Sequence, residues 1–254
     1  MHIFRPRGFV MRYLILSDIH ANLAAFDAVL DDVGDFDKIW CLGDMVGYGP
    51  QPNECVERLR EFPHICIAGN HDWAVLDKLS DSDFNPDAQM ACRWTREKLS
   101  PEQFEYLANL PVTLIEEGFT LVHGSPRQPI WEYILHPSVA HSNFAYFDTQ
   151  ICFVGHTHIP VVFRYEHLDS EGTCLPFPLS QDNLLSLGGE RMIINPGSVG
   201  QPRDGDPRAS YAILDTDEGA LEYRRIPYPV ETTQQKMMEE GLPLRLIVRL
   251  GYGW

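Results

Sequence analysis

The sequence predicts an α/β fold built around a parallel sheet, and three observations carry that reading. Short apolar runs alternate with segments of helical period from Arg12 to Ala68. Hydrophobic residues make up 44% of the 254 residues, enough for a sizeable core. After Pro111 the pattern turns to short strand-like runs separated by turn residues.

Residues 13–16 (YLIL) read as the first strand. Leu23, Phe26, Leu30 and Val33 then recur at helical spacing behind Asn22, a side chain suited to capping. Residues 38–42 repeat the strand signal, Cys55, Val56 and Leu59 suggest a second helix, and residues 65–68 a third strand. Successive βαβ units of this kind imply parallel pairing. Helical signals dominate residues 73–109 and should cover one sheet face; Ser100-Pro101 marks a helix start, since Ser caps and Pro suits the first turn.

Residues 112–115 and 119–122 flank Glu116-Glu117-Gly118 as a hairpin, and residues 151–154 and 161–165 follow as strands. Residues 169–189 are polar and rich in Gly, Pro and Ser, which suggests a surface loop or a long hairpin. Residues 192–194, 210–214 and 221–226 look like closing strands. Residues 231–254 fit one or two short helices or a terminal strand equally well. There is no internal repeat, and residues 1–254 read as a single domain with residues 1–10 a loose leader.

A formal net charge of -16 repels the phosphate backbone, so long duplex nucleic acid is not an expected partner. The six cysteines form no CxxC pair and mostly sit in apolar runs, where a free thiol packs as a small hydrophobe. The leader lacks an apolar signal core, and no run approaches the roughly 18–20 apolar residues of a membrane span. A soluble, cytoplasmic protein in a reducing compartment is expected.

Residues of metal-ligating type follow the apolar runs in order. Asp18 and His20 follow the first strand, Asp44 the second, Asn70 and His71 the third, His123 the run 119–122, and His156 and His158 the run 151–154. At the carboxyl edge of a parallel sheet such loops converge, so residues distant in sequence can share a site. Alternate residues of an extended segment point to one side, which suits Asp-x-His and His-x-His. Carboxylates, imidazoles and an amide oxygen together suit two borderline divalent ions, Mn, Fe, Zn, Ni or Co, rather than calcium. A lone histidine or Gly-Asp turn would more often be structural. Accordingly, His64, His136, His141 and His167 are assigned surface or core roles, and Trp40, Trp73, Trp94 and Trp131 core or rim roles, with Trp73 and Trp131 able to line a pocket.

Ser17-Asp18-Ile19-His20, Gly43-Asp44, Gly69-Asn70-His71-Asp72, His123-Gly124 and Gly155-His156-Thr157-His158 together resemble the calcineurin-like metallophosphoesterase superfamily. Asn195-Pro196-Gly197-Ser198-Val199-Gly200-Gln201-Pro202-Arg203 is similar to its small bacterial and archaeal phosphodiesterase branch. The resemblance implies a four-layer αββα sandwich of two mixed sheets flanked by helices. It implies that Asp18, His20 and His158 hold one metal, that Asn70, His123 and His156 hold the other, and that Asp44 bridges them. His71 would stay free of metal and face the scissile phosphate as an acid or electrostatic group, with Asp72 orienting it. A water or hydroxide held between two such ions would be the nucleophile towards a small phosphate ester, most of all a small or nucleotide-type phosphodiester.

One departure is informative. Serine/threonine protein phosphatases and symmetrical diadenosine tetraphosphatases carry an Asp-Arg pair shortly after the bridging Asp, where this chain has Gly47-Tyr48. Substrate must then be gripped by other means, for which Arg127 and Arg203 are candidates. The rival readings are a phosphomonoesterase or nucleotide pyrophosphatase, a nuclease, and a protein-binding scaffold that retains the fold.

Overall fold

In the computed structural model, which describes residues 11–166, 173–181 and 184–254, strand alternation defines the layers. In β1 (Arg12–Leu16), Tyr13 and Ile15 enter one apolar cluster while Leu14 and Leu16 enter another, because successive side chains leave opposite faces. β2 (Lys38–Cys41) pairs parallel with β1, and β3 (His64–Cys66) parallel with β2. The crossovers are α1 (Leu23–Asp32) and α2 (Pro52–Arg60). The Asn22 side chain accepts from the Ala25 N–H at 3.3 Å and caps α1 as expected.

Three helices follow, α3 (Asn70–Val75), α4 (Pro86–Lys98) and α5 (Pro101–Ala108), the last capped by Ser100 Oγ, which accepts from Gln103 N–H at 3.3 Å. β4 (Thr113–Glu116) and β5 (Phe119–Val122) form the expected hairpin. α6 (Pro137–Asn143) is an element the sequence reading did not mark; its seven residues show too little period to stand out. The chain continues through β6 (Ile151–Phe153), β7 (Val161–Glu166), β8 (Thr173–Phe177), β9 (Leu184–Ser186), β10 (Arg191–Asn195), β11 (Ala209–Asp215) and β12 (Ala220–Ile226). It ends in α7 (Val230–Glu239) and α8 (Leu244–Arg249), so the tail contains two short helices rather than a strand.

The described strands form two six-stranded sheets, ordered β3-β2-β1-β11-β12-β9 and β4-β5-β6-β10-β7-β8. Each is mixed: a parallel trio (β1, β2, β3; β5, β6, β10) is extended by antiparallel strands. Within residues 169–189, β8 completes a hairpin with β7, but β9 crosses to the other sheet and pairs with β12. This segment is thus neither a simple loop nor one hairpin. Residues 1–10, 167–172, 182 and 183, and with them the leader and His167, lie outside the described residues.

Between the sheets lies one apolar cluster, with Trp40, Phe153, Ile194 and Leu214. On the outer face of the first sheet a second cluster takes Phe26, Val56, Ala91, Leu107, Met237 and Ile247 from the helices. A third seats Ala140 of α6 on the second sheet beside Val122, Cys152 and Ile193. Helix, sheet, sheet and helix make the expected αββα sandwich, and each fully buried large side chain stabilises it by about 1.5–3 kcal/mol. All six cysteines are buried and none is in a disulfide. Among the described residues, no helix is long and apolar enough to cross a membrane.

Candidate metal centre

The two parallel trios present their carboxyl ends to a common point. Asp18 and His20 follow β1, Asp44 follows β2, Asn70 begins α3 after β3, His123 follows β5, and His156 and His158 follow β6. Backbone hydrogen bonds lace these loops together: Asp18 N–H donates to Gly43 O at 3.0 Å, Gly155 N–H to His123 O at 2.8 Å, and Val199 N–H to Ser17 O at 3.0 Å. Asp18, His20, Asp44, His156 and His158 have φ of 54°, 49°, 53°, 66° and 60°. Left-handed backbone costs a non-glycine residue about 1–3 kcal/mol, so five such residues in one place mark a strained, over-determined site. Glycine is required where the loops touch: a Cβ on Gly69 would lie 2.0 Å from Asp44 Oδ1.

Each carboxylate has one oxygen tied and one left over. Asp18 Oδ2 accepts from Ser17 Oγ–H at 2.6 Å and His156 N–H at 3.1 Å, while Asp18 Oδ1 is buried without a partner. Asp44 Oδ1 accepts from His71 N–H at 2.8 Å, and Asp44 Oδ2 is likewise buried and unpartnered. Burial alone would raise both carboxyls, yet the surrounding imidazoles hold them below the ordinary carboxylate range.

The histidines face these oxygens with their lone pairs. His20, His123 and His158 each turn Nδ1 to a backbone carbonyl, of Val46 at 3.1 Å, Leu42 at 2.8 Å and Gln201 at 2.5 Å. A carbonyl only accepts, so Nδ1 carries the proton and Nε2 is left as a donor for a metal. His156 is reversed, with Nε2 bonded to Trp131 O at 3.1 Å, which leaves Nδ1 free. His20 Nε2 and His158 Nε2 then stand 3.1 Å apart, and His158 Nε2 lies 3.1 Å from Asp18 Oδ1. His123 Nε2 lies 3.0 Å from Asn70 Oδ1 and 3.4 Å from Asp44 Oδ2. Acceptors packed this closely repel one another unless protons or cations sit among them. Without a cation, His123 is the group that takes up a proton: burial opposes this, but Asp44 overrides burial and pushes it up to about 10. Two orphaned oxygens, oriented imidazoles and an amide oxygen are a donor set that fits divalent ions.

Three overlapping groups of ligand atoms lie within 4.8 Å of one another: Asp18, His20 and His158; Asp44, His123 and His156; and His20, Asp44 and His71. The last shows that His71 is also within reach of a metal at this site. A calcineurin-like phosphoesterase superfamily domain model matches residues 11–219. The chain belongs to that superfamily. A metallophosphoesterase from Sphaerobacter thermophilus, known from its crystal structure, is 48% identical, with a TM-score of 0.87 over 97% of this chain and 100% of that one. A Methanocaldococcus jannaschii protein, MJ0912, is 40% identical over 94% of this chain and 97% of its own length. The Escherichia coli phosphodiesterase YfcE is 26% identical over 82% of this chain and 89% of its own. As a member of this superfamily the protein is a metallophosphoesterase, a hydrolase of phosphate esters.

In the superfamily's protein phosphatases an Asp-Arg pair would occupy the place of Gly47-Tyr48, and here the space is used differently. A Cβ on Gly47 would lie 2.7 Å from His71 Nδ1, so the imidazole sits directly against the backbone. Tyr48 packs on His71 with ring centroids 4.2 Å apart and on His20 at 4.6 Å, while Phe84 meets the other side of His71 at 4.9 Å. His71 Nδ1 lies 3.4 Å from Cys92 Sγ. Burial pulls His71 down to about 4, so the ring is neutral near pH 7.

Asp72 does not contact the His71 ring through its carboxylate. Asp72 Oδ2 accepts from Asp44 N–H and Gly69 N–H, both at 2.9 Å, and Oδ1 from Val46 N–H at 3.2 Å. It therefore braces the two loops that carry Asp44 and Asn70. Asn195 and Ser198 act similarly: Asn195 Nδ2–H donates to Gly155 O at 2.6 Å, and Ser198 Oγ–H to Asp18 O at 2.8 Å. The sequence motif around Asn195 signalled their presence without revealing this task.

The two candidate arginines part company. Arg203 Nη2 lies 3.4 Å from Tyr48 OH and its guanidinium 5.7 Å from the Tyr48 ring centroid, beside His71 and His20. Arg127 is engaged in an ion pair with Glu132, which ties it to its own loop. Trp131 stands at the rim against Phe84 and His156, at 5.0 and 6.0 Å, and Tyr133 stacks on His156 at 3.8 Å. Trp40 is core, and His64 is satisfied by Phe62 O and Tyr106 OH at 2.8 and 2.9 Å.

Proposed function

We propose that this metallophosphoesterase hydrolyses small or nucleotide-type phosphodiesters at a centre of two divalent ions. The observation that carries the reading is the pair of buried carboxylate oxygens without a hydrogen-bond partner, Asp18 Oδ1 and Asp44 Oδ2, ringed by imidazoles that turn Nδ1 to backbone carbonyls and Nε2 to the centre. Asp18, His20 and His158 would hold one ion, Asn70, His123 and His156 the other. Asp44 would bridge: its free oxygen is 3.6 Å from His20 Nε2 and 3.4 Å from His123 Nε2, one member of each group. When bound, two such ions activate water and neutralise charge on the phosphoryl oxygens. The mixed donors favour Mn, Fe, Zn, Ni or Co.

The protein's own groups supply the rest. His71, neutral and clamped between Tyr48 and Phe84, would donate a hydrogen bond or proton to the departing oxygen. Arg203 forms no ion pair with a carboxylate among the described residues and would balance charge on the phosphate. Arg127, already paired with Glu132, is a poor candidate for that task. The preference for diesters leans on the likeness to phosphodiesterase YfcE, and Gly47-Tyr48 in place of an Asp-Arg pair argues against protein phosphatase activity. Buried thiols outside any disulfide fit a cytoplasmic, reducing setting.

The test is hydrolysis of bis(p-nitrophenyl) phosphate beside p-nitrophenyl phosphate by metal-stripped protein reloaded with Mn, Fe, Ni, Co or Zn. Diester turnover restored by metal is expected. Protein that binds two ions yet cleaves neither ester would replace this reading with the scaffold.

A further inference from the structure

A cavity outside the cluster of metal-ligating side chains adjoins elements that pack on the centre. It measures about 720 Å³, the size of a small-molecule site, and lies between the start of α4 (Asn85, Asp87) and α8 with its following turn (Leu244, Val248, Arg249, Trp254). Two connections join it to the reactive end of the site. Asn85 on its wall directly follows Phe84, whose ring packs edge-on against His71 at 4.9 Å. On the other side, Leu250, which follows the lining residue Arg249, shares the small space behind Tyr48 and His20. The turn after α8 is fixed to the Arg203 loop by Gly205 N–H donating to Gly253 O at 2.9 Å.

The walls are apolar and unspent. Leu244 and Val248, one helical turn apart, are 69% and 45% exposed, and Trp254 is 62% exposed. The wall also carries the charges of Asp87, Arg245 and Arg249. Although the chain carries a net charge of -16 and Arg58, Arg60, Arg96, Arg224 and Arg225 all pair with acids, Arg249 forms no ion pair among the described residues. Its Nε donates to Trp254 O. Burial and the neighbouring charge of Arg203 pull Arg249 down to about 10.

We propose that this cavity is the leaving-group pocket of the metal centre, and that it takes a nucleotide: an aromatic body against Leu244, Val248 and Trp254, with a second phosphate held by Arg249. The inference rests on the phosphodiesterase reading for the word leaving, and on the cavity's own chemistry for the ligand class. Arg203 would face the scissile phosphate and Arg249 the next one, which gives each guanidinium the anion it lacks.

Calorimetry of AMP and adenosine on metal-stripped protein tests the pocket without any turnover. AMP should bind more tightly than adenosine. Arg249→Gln should weaken AMP at least tenfold while leaving adenosine nearly unchanged, and Leu244→Asp, at an exposed position that tolerates the change, should weaken both. In metal-loaded protein, Arg249→Gln should raise KM for 5′-phosphorylated diadenylate more than tenfold over its effect on unphosphorylated diadenylate. AMP affinity untouched by both substitutions would overturn the pocket. So would a wild-type dimer that Leu244→Asp turns into a monomer in sedimentation, because the apolar wall would then be an interface. Failure of the phosphodiesterase reading shows separately, as wild-type protein that hydrolyses no diester after reloading.

Discussion

Asp44 concentrates the conflict that defines this site: one oxygen holds the His71 backbone at 2.8 Å, and the other is buried without a hydrogen bond, 3.4 Å from His123 Nε2. A buried unpaired carboxylate oxygen is costly unless a cation meets it. Asp44→Asn removes the negative charge from that oxygen, so the variant should lose the stabilisation that a bound cation gives. Added Mn or Zn should raise the wild-type midpoint, stabilising the fold by about 2.7 kcal/mol at a hundredfold excess over Kd, and leave the variant unmoved. Thermal scans with and without metal check both. His71→Ala should retain metal and lose about 10²- to 10⁴-fold in kcat, the usual worth of a positioned acid; metal analysis beside rates decides it. At the surface, the Arg208 side chain bonds Asp206 and holds its carboxyl below the ordinary value. A depressed folded pKa stabilises above the unfolded pKa and is lost as pH falls through the folded one. Asp206→Asn should therefore cost up to about 1 kcal/mol near neutral pH, and the difference from wild type should vanish in urea titrations at acid pH.

At the scale of elements, the site depends on how closely loops approach one another. The turns after β2 and β3 touch where Gly69 meets Asp44, with no room for a Cβ at 2.0 Å. Gly69→Ala should push Asp44 aside, reduce bound metal below two per chain, and lower stability by more than the few tenths of a kcal/mol of an ordinary surface change. Metal analysis of the purified variant, with circular dichroism to verify folding, would reveal a neutral substitution if the loops can part. The strand-then-ligand order was legible because apolar runs and their following Asp, His and Asn are local features. What Asp72 does was not legible: it lies next to His71 in sequence, yet its carboxylate turns to Asp44, Val46 and Gly69. Nor did sequence reveal that Cys92 on α4 reaches His71, since no local pattern links residues 21 apart. α6 went unmarked because seven residues carry less than two full periods of pattern.

Across the whole molecule, the inter-sheet core holds the two halves of the centre in register, because Asp18, Asp44 and Asn70 come from one sheet while His123, His156 and His158 come from the other. Trp40 sits in that core, fully buried, with its indole Nε1–H unpartnered. Trp40→Ala should cost about 3–5 kcal/mol and Trp40→Phe distinctly less, since Phe keeps most of the packing and removes the unpaired donor. Urea midpoints of the two variants would expose the opposite order. The sequence by itself determined the chemistry available: ligand types, their order, their position behind strands, the first parallel trio and the family. Period and residue type are written locally, so they survive without a structure. Only the tertiary structure decided which side chains meet. It gave Arg203 to the site and Arg127 to Glu132, sent β9 to the opposite sheet from β8, and brought α8 beside Tyr48. Those outcomes rest on contacts between residues far apart in the chain, where geometry and burial, rather than local pattern, select the partner.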